Sequence, residues 1–154
     1  MPKRYWLFKS EPISYSYDHL VKDKVAEWDG VRNYQARNTL RDDIKEGDGV
    51  LFYHSSAEPL AIVGTAIVTR GGYPDGTAWD KKSHHYDPKS SPENPIWYMV
   101  DIKPDVRFKN PVTVEAMRTN PALANMMVLK RNRLSVQPVT KQEWHAVVKM
   151  GTGK

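Results

Sequence analysis

Trp28-Asp-Gly-Val-Arg-Asn-Tyr-Gln-Ala-Arg-Asn38 crowds two arginines, two asparagines, a glutamine and a tyrosine behind a tryptophan. Gly30 breaks the chain after the tryptophan, and residues 33–44 then suit a helix that ends at the turn Glu46-Gly47-Asp48-Gly49. On that helix Leu40 and Ile44 face inward. Two readings compete for the polar residues. In the plainer one they form the solvated face of an amphipathic helix, and Trp28 plugs the core. In the other, Asn33 and Gln35 read the edge of a base, Arg32 and Arg37 grip phosphate or stack on a ring, and the helix N-terminus accepts an anion. Each residue taken alone suits the plainer reading. The cluster together with its tryptophan favours the functional one.

Working outward, the elements are mixed. Residues 4–8 form a short aromatic strand that ends at Lys9-Ser10-Glu11-Pro12. Ser16 caps a helix reaching Val21, with Leu20 and Val21 buried. Residues 50–54 and 60–68 are apolar and β-rich and read as adjacent strands. Gly71-Gly-Tyr-Pro-Asp-Gly76 is a turn signal, and residues 87–95 form a proline-rich surface loop. Residues 96–106 make a further strand, 113–118 and 122–127 short helical segments, and 134–139 an alternating strand. Thr140 and Glu143 form a capping box for a last helix through Lys149 that buries Trp144, Val147 and Val148. The pattern is α+β, with a small barrel or curved sheet at its centre. Residues 1–150 read as one domain, and 151–154 as a frayed tail.

The 154 residues carry a net charge of +5 and no cysteine. That excludes disulfides, thiolate nucleophiles, zinc ribbons and iron–sulfur clusters, and it fits a reducing compartment, with the cytoplasm as the expected location. No apolar run approaches the ~20 residues of a membrane span, so no membrane partner is expected. The modest positive charge suits an acidic partner such as nucleic acid, or solubility alone. Five Trp and eight Tyr against three Phe favour aromatics with a polar handle, suited to sites that are partly wet.

Enzyme signatures are absent: there is no G-x-S-x-G, Walker A, G-x-G-x-x-G or H-E-x-x-H pattern. Adjacent His84 and His85 point apart on any regular element, and Asp80, His85 and Asp87 lack a ligand spacing, so no metal is expected. His54 and Ser55 face opposite sides of a strand, which disfavours a nucleophile–base pair. Lys9 and Ser10 at a strand end offer an ammonium and a hydroxyl, or simply make a turn. Lys130-Arg-Asn-Arg133 is a compact basic run that matters only if it shares a side with Trp28.

Several blocks together resemble the EVE-domain family, which has bacterial stand-alone members. They are Tyr5-Trp-Leu-Phe-Lys-Ser-Glu-Pro12, the block 28–38, Phe52-Tyr-His-Ser55, His85-Tyr-Asp-Pro-Lys89, Pro95-Ile-Trp97 with Val100-Asp101, and Arg133-Leu-Ser-Val-Gln-Pro-Val139. One position departs: the loop often reads Tyr-Tyr-Asp, and here reads His85-Tyr86-Asp87. The resemblance implies a PUA-like fold, a curved β-barrel surrounded by short helices, and kinship with YTH domains, which hold a methylated adenine in an aromatic cage. It implies a non-catalytic reader of a modified, methylated base in DNA or RNA, with no cofactor.

On that pattern Lys9 and Ser10 are the strand-end pair that precedes a cage tryptophan, Trp28, and residues 52–55, with Tyr53, His54 and Ser55, floor the pocket. Tyr34 joins them. Trp79, Tyr86 and Trp97 compete for the second cage aromatic, Trp97 being the most core-like. Asn33, Gln35, Ser10 and Ser55 supply hydrogen bonds at the base edge. Arg32, Arg37, Arg131 and Arg133 form a basic rim toward phosphate. The alternative is a small-molecule or nucleotide binder, or an enzyme, using the same pocket.

Overall fold

The apolar runs of β1 (Tyr5–Ser10) and β3 (Gly49–His54) are continuous rather than alternating. The sheet they form is covered on both faces, so each residue has a buried side to fill. The two strands pair in parallel, with Trp6 beside Val50, Leu7 beside Leu51 and Phe8 beside Phe52. Trp6, Phe8, Val50 and Phe52 join one core cluster with Tyr17, Leu20, Leu40 and Ile44. Leu7, Leu51 and Tyr53 join a second with Met117, Leu123 and Val147. The computed structural model describes residues 3–56, 59–130 and 134–153.

Four more strands complete a six-stranded sheet: β2 (Ala26–Glu27), β4 (Ala61–Pro74), β5 (Tyr98–Thr113) and β6 (Val136–Val139), in the order β2-β5-β4-β3-β1-β6. All neighbours other than β1 and β3 are antiparallel. The expectation was a small barrel or curved sheet; the edges of the observed sheet, β2 and β6, do not pair with each other among the described residues, so it is not closed there. The β4–β5 ladder slips register at four points, and each slip bends and twists the pair locally.

Strand β4 is longer than the sequence suggests. It runs through Gly71 and Gly72 to Pro74, the stretch read as a turn. Gly72 marks a close approach instead: a Cβ there would lie 2.3 Å from the Leu40 carbonyl oxygen. The turn begins one step later, where buried Asp75 accepts the Thr77 N–H to cap the 3-10 turn Gly76–Trp79.

Helix α1 (Tyr17–Asp23) starts at Ser16, which forms a capping box with His19. It buries Tyr17 and Leu20. Val21 is exposed, against expectation, because it lies about 100° round the helix from Leu20. The helix expected over 33–44 is two pieces, α2 (Tyr34–Asn38) and a π-turn (Thr39–Asp43), with Asn33 as the cap and Leu40 and Ile44 buried. After β5 come α3 (Val114–Arg118) and 3-10 turns at Pro121–Leu123 and Met127–Leu129.

The last helix, α4 (Lys141–Thr152), has the Thr140–Glu143 capping box and buries Val147, with Trp144 and Val148 half-buried. It does not stop at Lys149. Gly151 is buried under the Phe108 ring, and Gly153 closes the helix in a left-handed conformation, so residues 151–153 of the expected tail are a docked helix end. No helix among the described residues is long and apolar enough to cross a membrane.

Candidate functional site

The C-terminal end of β1 opens into a cleft of about 980 Å³. That lies at the top of the usual range for ligand sites, roughly 300–1,000 Å³. Its walls come from four places: the end of β1 with the following turn (Lys9, Ser10, Glu11, Ser14, Tyr15), the segment from Asp23 to Arg32, the pair His84–His85, and Ser135 just before β6. The sheet topology creates this meeting. β1 is an inner strand next to the edge, with β6 on one side and β3 on the other, so its end gathers loops from distant parts of the chain.

Trp28 is half-buried on this wall. Its ring is backed by Phe8 at 5.3 Å and by Phe52 at 5.6 Å, edge to face. Its backbone is fixed by a 2.7 Å bond from its N–H to the Val100 carbonyl. Tyr15 stands perpendicular to it, with ring centroids 6.2 Å apart and planes at 80°. The Tyr15 hydroxyl donates to Asp23, 2.8 Å away. Partial burial and that carboxylate push the phenol well above its ordinary pKa.

A buried carboxylate organises the loop behind Trp28. Asp75 is fully buried and accepts from the Gly30 N–H at 2.8 Å, from Arg32 at 3.1 Å and from Thr77. Burial alone would raise its pKa; the hydrogen bonds from Thr77, Gly30 and Arg32 outweigh it and hold the carboxyl below its ordinary value. Arg32 also donates to the His85 carbonyl, 2.7 Å away, and covers the Trp97 ring. The Gly30 φ of +77° and the His85 ring packed against it leave no room for a side chain: a Cβ would lie 2.5 Å from His85 Nε2. His84 and His85, expected to diverge, have ring centroids 4.0 Å apart, because they sit in an irregular loop rather than on a strand.

Burial lowers the pKa of the Lys9 ammonium, while partial burial and the Asp75 and Glu27 charges raise that of the Asp29 carboxyl. Among the described residues, no group of three His, Asp or Glu side chains is arranged to hold a metal ion.

The EVE domain family matches residues 4–150. The chain belongs to the EVE-domain family. Mouse thymocyte nuclear protein 1 is 38% identical over 165 residues, covering 95% of this chain and 73% of that protein. A fission yeast relative, the uncharacterized protein C21.03c, is 35% identical, with 92% of this chain and 66% of that protein covered. The chain thus spans about two thirds of the curated relatives' length. A structure from Leishmania major superimposes with a TM-score of 0.93 at 42% identity, covering 99% of this chain and 96% of that one. A crystal structure of human THYN1 protein in complex with 5-methylcytosine-containing DNA superimposes with a TM-score of 0.88 at 36% identity, covering 97% and 98%.

In this EVE domain the cleft brings together Lys9, Ser10, Trp28 and Arg32 of the residues singled out from sequence. The others lie elsewhere. Asn33 accepts the Ala36 N–H as a helix cap, 2.9 Å away, so its amide belongs to α2. Tyr34 is exposed and packs on buried Trp97, and Gln35 accepts the Thr39 hydroxyl through its carbonyl. Arg37 donates to the Ile96 carbonyl and to Asn38, and with Arg32 it holds loops rather than facing an open rim. Tyr53 is buried in the second core cluster. His54 Nε2 accepts the Tyr17 N–H, and Ser55 donates its N–H to the Ser10 carbonyl. None of residues 52–55 lines the cleft; the stretch supports it from behind, through Phe52 against Trp28 and Ser55 on the Ser10 carbonyl. Trp79 donates to Ser90, and neither it nor Tyr86 nor Trp97 lines the cleft.

The aromatic facing Trp28 is Tyr15, which sequence reasoning missed. The signal was an aromatic set among serines, Ser14-Tyr15-Ser16, shortly after Pro12. The Ser10 hydroxyl already donates to the Tyr15 carbonyl, which fixes that turn. The expected basic rim is absent from the described walls: Lys9 and Arg32 meet four carboxylates, Glu11, Asp23, Glu27 and Asp29. Arg131 and Arg133 lie outside the described residues.

Proposed function

We propose that this EVE domain is a non-catalytic reader of a modified base, a 5-methylcytosine-type base in DNA or RNA, taken out of its stack and laid against Trp28. The observation that carries the reading is the Trp28 ring, braced by Phe8 and Phe52 and open to a cleft, in a chain 36% identical to the human protein solved with methylated DNA. The finer parts of the reading are a single PUA-like domain with a curved barrel, and phosphate contacts from Arg131 and Arg133.

The energetics suit this use. Stacking a base on an aromatic ring is worth about 1–3 kcal/mol. Extracting the base costs a few kcal/mol, and less from a single strand. Burying one methyl adds only about 0.8 kcal/mol, so a methyl preference needs support from the base edge. Trp28→Ala therefore weakens a 5-methylcytosine oligonucleotide roughly 5- to 150-fold. Fluorescence anisotropy against oligonucleotides carrying cytosine or 5-methylcytosine measures this. Equal binding by wild type and Trp28→Ala would remove the reading.

The carboxylate-rich walls favour a second reading, a small amine-bearing ligand without phosphates. Salt decides between them. A polynucleotide reader loses affinity steeply as salt rises, by a log–log slope of about 0.7–0.9 per phosphate contact. The double change Arg131→Ala and Arg133→Ala flattens that slope and leaves a free methylated nucleoside untouched. A salt-independent wild type places the small-ligand reading first.

A further inference from the structure

Thymine carries the same C5 methyl group as 5-methylcytosine and differs at C4, where an oxygen replaces the amine. Thymine is a standard base of every DNA, so methyl recognition alone cannot make a 5-methylcytosine reader. The site must hold an acceptor that rewards the amine and opposes the thymine oxygen. We infer that the Asp29 carboxylate, next to the Trp28 platform, is this acceptor and separates 5-methylcytosine from thymine; the inference rests on the base-reading function proposed above.

Four carboxylates line the cleft, and three are placed for other work or loosely held. Asp23 receives the Tyr15 hydroxyl. Glu27 shares the Tyr73 hydroxyl with Asp101, its partner across the β2–β5 ladder. Glu11, exposed like Asp29, lies in the turn after β1 rather than beside Trp28. Asp29 accepts no hydrogen bond from another side chain among the described residues.

Its backbone is nonetheless fixed on both sides. The Trp28 N–H donates to Val100, the Asp29 N–H to Glu27, and the Gly30 N–H to buried Asp75. So anchored a turn fixes where the Asp29 side chain starts before a ligand arrives. Partial burial and the Asp75 and Glu27 charges raise its pKa, with His85 and a hydrogen bond from its own backbone N–H acting the other way, so the carboxylate gains from a further donor brought to it. A cytosine amine is such a donor. A thymine O4 turns lone pairs toward the carboxylate and leaves both unsatisfied.

The test uses single-stranded oligonucleotides identical except for a central cytosine, 5-methylcytosine or thymine, at one salt concentration, with wild type, Asp29→Asn, Asp29→Ser and Trp28→Ala. Wild type favours 5-methylcytosine over thymine by roughly 10- to 100-fold, the scale of one hydrogen bond to a charged group. In Asp29→Asn the amide can turn its oxygen or its NH2 toward the base, so that ratio collapses while the preference for 5-methylcytosine over cytosine persists. Asp29→Ser, too short to reach, collapses it likewise. Both keep the wild-type melting temperature, since Asp29 is exposed. A thymine ratio unchanged in both variants overturns the assignment of Asp29 and leaves the reader intact. A wild type that binds all three strands alike, and no better than Trp28→Ala, overturns the reader itself and the inference with it.

Discussion

The two ends of β1 use the same residue types in opposite ways. At its start, Tyr5 stacks on Trp144 with centroids 4.5 Å apart, and the Trp6 indole N–H donates to Asp48 at 2.9 Å. Asp48 is itself buried and also accepts from the backbone of Arg4 and Lys45. There each aromatic has its partner inside the fold. At its end, Phe8 and Phe52 back Trp28, Tyr15 crosses it at 80°, and the open side of this group is a cleft. Aromatic content alone does not distinguish packing from presentation. What distinguishes them is whether the neighbouring chain closes over the ring.

The largest expected effect breaks the packed end. Trp6→Ala removes a nearly fully buried indole and orphans one Asp48 bond, costing about 3–5 kcal/mol. That lowers Tm on the order of 10 °C. Trp28→Ala, half-exposed, costs about 1–3 kcal/mol of stability and weakens ligand binding by the factor given above. Thermal melts and anisotropy on both variants check the contrast; a Trp28→Ala protein less stable than Trp6→Ala would make Trp28 a core residue and erase it.

A smaller change sharpens the open end. Gly30→Ala forces a side chain into a left-handed backbone and against His85, costing about 1–2 kcal/mol. Because His85 lines the cleft, affinity for a 5-methylcytosine oligonucleotide falls as well, which a purely structural defect at Trp6 would not reproduce in the folded fraction.

The smallest effect is with pH. Burial depresses the His54 pKa, and its ring accepts a backbone N–H from Tyr17, so the fold prefers neutral imidazole. The unfolded chain takes up this proton first. Stability therefore declines as pH falls below the ordinary histidine value of about 6.5 toward the lowered one. His54→Gln flattens this decline in denaturant titrations. Asp75 acts lower: its contribution is complete above the ordinary carboxyl value and is lost as pH falls through its depressed folded value.

Much of the fold was legible because its signals are local. Ser16 and Thr140 cap helices through bonds to residues three positions on, and the apolar runs of β1 and β3 declare buried strands without reference to anything distant. Where a residue type served a distant neighbour, local reading failed. Gly72 looked like a turn and is a close approach to the π-turn that follows α2; Gly151 looked like a fraying end and lies under Phe108. Their purpose is set by residues 32 and 43 positions away in sequence, which propensity does not see.

The candidate site divides in the same way. Lys9, Ser10, Trp28 and Arg32 were visible as an unusual local chemistry, and all four line the cleft. Asn33, Tyr34, Gln35 and Arg37 belong to the same dense block and are turned away, because a helix capped by Asn33 rotates them toward solvent or toward the loop carrying Ile96 and Trp97. Tyr15 and Asp29 were passed over, since nothing near them in sequence says that β1 ends between their loops. Sequence by itself determined the family, the core strands β1 and β3, and the caps, and it singled out Trp28, all of which depend on neighbours along the chain. Only the tertiary structure decided which polar groups face Trp28, because that depends on how one parallel pairing, β1 on β3, brings the 11–15, 23–32 and 84–85 segments around a single strand end.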